Sequence, residues 1–213
     1  MRPSQRTIRI LIAAAVVVGA TIAVYLLARP GAPPRPSTAE PGYLAWTDIR
    51  PHLTSEQRQA LERFASDEER RFYAAGFAAG NSDAPEPAWL DVLVEGLRAT
   101  PVRSDERASG PLPATVGHGA FALATFTQVW YRLGPLDAYA ETIQREVARL
   151  SASDDEILRL QCAMVLRQME SRPGAFPLSA QSRQTLDRLL ANDWVAHNVT
   201  IQDARVLAPL QRR

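Results

Sequence analysis

The side chains of this 213-residue chain that could do chemistry are few: His52, His118 and His197, the lone Cys162, and the acidic runs Asp67-Glu68-Glu69 and Asp154-Asp155-Glu156. None of the histidines has a second His, a Cys or a carboxylate at metal-ligand spacing along one helix. The sequence holds no HExxH, CxxC, GxSxG, GxxxxGK[ST] or GxGxxG pattern. No catalytic, cofactor-binding or metal-ligating residue is assigned, and the expectation is a protein that is not an enzyme. His118 is the one candidate contact for a ligand or partner. Gly117 and Gly119 flank it at the head of an uncharged segment, a setting expected to leave the ring accessible, and imidazole titrates near neutrality. The ordinary role of such a histidine is a hydrogen-bonded structural one. Cys162 lies on an amphipathic stretch with no neighbouring base, so it is expected to behave as a small buried apolar group. The acidic runs fall at expected helix starts, where carboxylates suit the positive end of the helix dipole and Arg one turn on forms solvated ion pairs.

Composition narrows the chemistry further. All 24 basic residues are Arg, which removes phosphate-binding loops, Schiff bases and kinase-type sites that need a lysine. A single Cys excludes an intramolecular disulfide framework and any Cys-rich zinc module. Residues 43–213 carry 19 Arg against 22 acidic residues, a net charge of −3. That balance argues against a nucleic-acid surface.

The elements that would position these residues begin with an apolar run. Residues 10–28 are 19 positions without a charge, which as a helix span about 28 Å, close to the roughly 30 Å hydrocarbon core of a bilayer. Arg2, Arg6 and Arg9 precede the run, and Arg29 and Arg35 follow it. This mild bias favours a cytoplasmic tail over residues 1–9. The reading is an uncleaved transmembrane signal anchor over 10–28. A cleaved signal peptide is the alternative, although the apolar core is long for one and Ala28 is followed by Arg29-Pro30. Ala15, Gly19 and Ala23 share one stripe of that helix and could let two copies approach as a homodimer. Residues 29–42 hold five Pro and two Gly in fourteen positions and read as a semi-rigid spacer.

The body, residues 43–213, has helical periodicity. Thr54-Ser55-Glu56-Gln57 has the form of a capping box, and Ser66-Asp67-Glu68-Glu69 repeats it. The stretch to Gly80-Asn81 is expected to be one bent helix or two, with Phe72, Ala75, Gly76 and Ala79 buried. Trp89, Leu90, Leu93, Val94 and Leu97 make a stripe that Thr100-Pro101 ends. Residues 101–113 read as a loop. Residues 115–133 are apolar or small nearly all the way round, as suits the central helix of a bundle; a second membrane span is the weaker alternative. Gly134-Pro135 breaks that helix. Leu136, Tyr139, Ala140, Ile143, Val147 and Leu150 then form a clean stripe, with Glu141, Arg145, Glu146 and Arg149 on the wet side. A capped helix follows with Ile157, Leu160, Met164, Val165 and Met169 inward. Ser179 opens another with Leu186, Leu189 and Leu190, and a last helix is expected around 203–207. The fold class is all-α: a single transmembrane helix, a Pro-rich linker, then a helical bundle or short α-solenoid of about six or seven helices.

These elements imply a single-pass protein of the bacterial inner membrane with its amino terminus in the cytoplasm and its carboxyl-terminal domain in the periplasm. The domain is expected to bind an unidentified protein partner or organise an envelope complex, without cofactor. An exported enzyme or small-ligand binder with a site near His118, lidded by the Arg103 to Arg107 loop, is the alternative.

Overall fold

A computed structural model of the chain describes residues 44–106, 112, 114–133, 137–170 and 176–207, with side chains to 202. The expected tail 1–9, the span 10–28 with Ala15, Gly19 and Ala23, and the spacer 29–42 lie outside the described residues. Every regular element among the described residues is helical. In chain order they are α1 (Trp46–Ile49), a 3-10 turn (Arg50–His52), α2 (Ser55–Leu61), α3 (Asp67–Asn81), α4 (Pro87–Ala99), α5 (Val116–Leu133), α6 (Asp137–Leu150), α7 (Glu156–Glu170), α8 (Ala180–Leu190) and α9 (Asp193–Leu207). No helix among the described residues is long and apolar enough to cross a membrane. The central-helix reading of 115–133 therefore holds over a second span.

The helix starts follow their side-chain chemistry. Thr54 Oγ1 accepts from the Gln57 N–H while Gln57 Oε1 accepts from the Thr54 N–H, a reciprocal box. Ser66 Oγ accepts from the Glu68 and Glu69 amides. Ser179 Oγ accepts from Ser182, and Asp155 Oδ1 from Leu158. Pro87 supplies the first residue of α4.

The domain is a bundle built around α5. That helix packs most extensively on α7 and also meets α3 and α4, while α6, α8 and α9 pack on α7 and on one another. Its inward face accounts for much of the apolar content: Leu123, Phe126, Val129 and Trp130 are wholly buried, each contributing about 1.5–3 kcal/mol of transfer free energy. Its threonines satisfy themselves within the helix, Thr125 and Thr127 donating to the carbonyls of Phe121 and Leu123. Close packing requires glycine at two crossings. A Cβ on Gly96 would stand 2.8 Å from Phe72 Cδ2, and one on Gly76 would stand 2.6 Å from Phe121 Cζ.

Helix ends inside the bundle are completed from neighbouring helices. The end of α3 receives Gln128 Nε2 at the Gly80 carbonyl, 3.2 Å, and Arg132 Nη2 at the Ala79 carbonyl, 3.0 Å. The end of α4 receives Arg149, whose Nη1 and Nη2 donate to the carbonyls of Thr100 and Leu97 at 2.7 Å each.

Several expectations need correction. Six or seven helices become nine α-helices among the described residues, because 44–81 divides into three and the final helix starts at Asp193, not near 203. The β-branched cluster from Val195 to Ile201 sits on that helix, where packing overrides β propensity. Glu146 and Arg149 are not simply solvated: Glu146 is buried, and the part-buried Arg149 bonds both to it and to the end of α4. In α7 Ile157 points out, 42% exposed, and Leu158 takes the buried place.

Candidate functional site

His118 stands in the first turn of α5, and its ring is closed in. The residue is 2% exposed, with Phe72 and Tyr73 of α3 at 5.3 and 5.4 Å between ring centroids. Nδ1 accepts from the Thr115 backbone N–H at 2.9 Å and lies 3.1 Å from Thr115 Oγ1. Thr115 precedes the first residue of α5, so His118 reaches back to the cap amide as a capping-box Glu or Gln does. Accepting at Nδ1 assigns the ring proton to Nε2, which faces Glu69 Oε1 at 3.8 Å, beyond hydrogen-bond length. The expected accessible ring is thus corrected. Gly119 does not open the site; it lets Thr100 in, since a Cβ there would stand 2.6 Å from Thr100 Cγ2. The signal was in the sequence as Thr115 followed by His118 at capping-box spacing, a reading usually reserved for Glu and Gln.

The other sequence candidates are placed apart. His52 is exposed, edge-on to Trp89 at 4.8 Å and 3.9 Å from Glu86 Oε1. His197 is exposed on α9. Cys162 is wholly buried, and burial pushes its thiol pKa far up, which keeps it protonated and unreactive. The expected lid, as far as Glu106, is fastened to the start of α7: the Ser104 N–H donates to Asp154 Oδ1 at 2.9 Å and its hydroxyl to Oδ2 at 3.1 Å. The Ser104 backbone bond holds the Asp154 carboxyl below its ordinary pKa. Arg107 lies outside the described residues. No group of three or more His, Cys, Asp or Glu among the described residues could hold a metal ion.

A constellation not legible in the sequence forms where the α6–α7 turn meets the α8–α9 turn. Ser151, Ala152, Ser153, Arg159, Arg188, Leu189, Asn192 and Val195 line a cleft of about 320 Å³. Arg188 Nη2 donates to Ser151 Oγ at 2.7 Å, and Arg159 Nη1 donates to the Ser153 carbonyl at 3.0 Å. Ser151, Ser153, Leu189 and Val195 are buried. The partners stand 37 residues apart in the chain, and neither Ser nor Arg at such a separation carries a sequence signal. Comparison with protein-family models, with curated proteins and with solved structures finds no match to this chain.

Proposed function

We propose that the chain is a single-pass protein of the bacterial inner membrane, anchored by residues 10–28, whose helical domain stands in the periplasm and binds another protein of the envelope. The observation that carries this reading is the 19-residue uncharged run followed by five Pro in fourteen positions. One segment is long enough to span a bilayer and the next holds a domain off its surface. The all-helical bundle is in keeping with it, since helical domains recognise partners through faces and grooves, and tethering raises the effective concentration of partners in the same compartment. The small stripe of Ala15, Gly19 and Ala23 supports pairing of two anchors.

The test is topological and then biochemical. Full-length protein is expected to stay in the membrane pellet through carbonate extraction, and a reporter active only after export is expected to work when fused at the carboxyl end. Protein that washes off, or mature protein beginning downstream of residue 29, overturns the reading. In-cell crosslinking is then expected to trap a heterologous adduct on the bundle.

A further inference from the structure

We propose that the cleft between the α6–α7 and α8–α9 turns binds a small organic anion, whose carboxylate or phosphate group is received by Arg159 and Arg188. This goes beyond the anchoring reading and does not depend on it. The two guanidinium groups are tied to one short turn, Arg188 to Ser151 and Arg159 to Ser153, and both residues line the same cleft. Two positive groups lining one cleft repel, and an anion held in that cleft offsets the repulsion.

The donors are only partly engaged. Arg188 has one hydrogen bond, to a hydroxyl, and no carboxylate within ion-pair distance among the described residues. Arg159 Nε is buried without a hydrogen-bond partner among the described residues, and the one carboxylate near the group, the exposed Glu156, stands 3.7 Å from Nη2. Asn192 also lines the cleft, its Oδ1 accepting from the Val195 N–H. The two aspartates of this turn are engaged elsewhere, Asp155 by the Leu158 amide and Asp154 by the Ser104 amide and hydroxyl. Planar guanidinium donors match the oxygens of carboxylate and phosphate, and pairs of them form the strong class of hydrogen bond. The cleft exceeds the size of a bare oxyanion, and Leu189, Val195 and Ala152 are the apolar members of its lining. The ligand is therefore an organic molecule with an anionic head and a short apolar body.

The experiment is an amide NMR titration of the full-length, untagged chain in neutral detergent micelles, with inorganic phosphate in one arm and acetate in the other, at constant ionic strength set by chloride. Saturable shifts at Ser151–Ser153 and Arg188–Asn192 are expected, and the anion that binds more tightly identifies the head group. Arg188→Gln is expected to weaken binding about tenfold or more. Arg183→Gln, an exposed arginine of the same helix that does not line the cleft, is expected to leave it unchanged. Arg188→Lys, which keeps the charge and loses the fork, is expected to bind several-fold more weakly and serves should the Gln variant not fold. Shifts that never saturate with either anion overturn the proposal. So does binding that Arg188→Gln and Arg188→Lys leave intact, or that Arg183→Gln weakens equally.

Discussion

Replacing Arg149 by Ala removes the side chain that finishes α4. Its guanidinium donates at 2.7 Å to each of the Thr100 and Leu97 carbonyls and at 3.0 Å to Glu146 Oε2. Thr100 is 1% exposed, so its carbonyl gains little from water once the donor is gone, whereas the Leu97 carbonyl keeps the Thr100 N–H at 3.1 Å. A buried acceptor left without its partner costs about 1–3 kcal/mol. The Glu146 contact is the wetter part, with Arg149 36% exposed, and adds at most about 1 kcal/mol after solvent screening. The expected loss is about 2 kcal/mol, or roughly 4–8 °C in melting temperature for a domain of this size. Urea titration of the full chain in micelles, followed by circular dichroism, measures it. Arg145→Ala is the control: that residue is 62% exposed and 3.9 Å from Glu146, so its loss is expected to stay within about 0.5 kcal/mol. Arg149→Lys keeps the charge at the helix end but cannot fork to two carbonyls, and is expected to fall between them. An Arg149→Ala variant as stable as Arg145→Ala refutes the cross-helix cap.

Three further outcomes follow from packing and titration. Gly96→Ala drives a methyl into the immobile Phe72 ring and is expected to cost about 1–2 kcal/mol net of the helix propensity gained. Gly80→Ala meets Gln128 Oε1 at 3.3 Å, an exposed side chain that can turn at the expense of its bond to the Gly80 carbonyl, so the helix propensity gained is expected to offset that loss to within about 0.5 kcal/mol; paired denaturant titrations compare them. Cys162 is expected to resist maleimide in the native chain and to react fully in denaturant, and equal labelling in both would contradict its burial. Tyr139, partly desolvated and donating to Asp91 Oδ1 at 3.0 Å, has its pKa pushed up to about 12. A raised folded pKa stabilises fully below the ordinary phenol value of about 10 and is lost as pH climbs through about 12. A step near pH 12 in the phenolate absorbance titration should vanish in Tyr139→Phe.

Punctuation and periodicity carried most of the architecture. Thr54, Ser66 and Ser179 cap where their spacing placed them, Pro87 opens α4 and Thr100-Pro101 closes it, because these effects act within four residues. The buried stripe of α4 was readable for the same reason. What escaped the sequence acts across helices. Arg149 and Glu146 look like wet-side residues on a helical wheel, and nothing local shows that the α4 end lies beneath them. His118 looks open between two glycines, whereas Gly119 exists for Thr100 and the ring is a cap. Ile157 and Leu158 are equally apolar, and only the approach of a neighbouring helix decides which is buried. The arginine cleft escaped completely because two turns far apart in the chain build it.

The arginines of this domain divide by what their donors meet, and that division separates stability from binding. Arg132 and Arg149 donate to backbone carbonyls at helix ends, groups that must be satisfied for the bundle to close. Arg188 donates once, to the Ser151 hydroxyl, which itself donates to the Ala148 carbonyl and keeps that bond without Arg188. Removing Arg188 orphans no backbone group and should shift the denaturation midpoint by no more than about 0.5 kcal/mol equivalent, while abolishing most oxyanion affinity. Removing Arg149 should do the reverse. If both substitutions destabilise alike, Arg188 is a structural staple in the manner of Arg149, and the cleft is the seam between two turns.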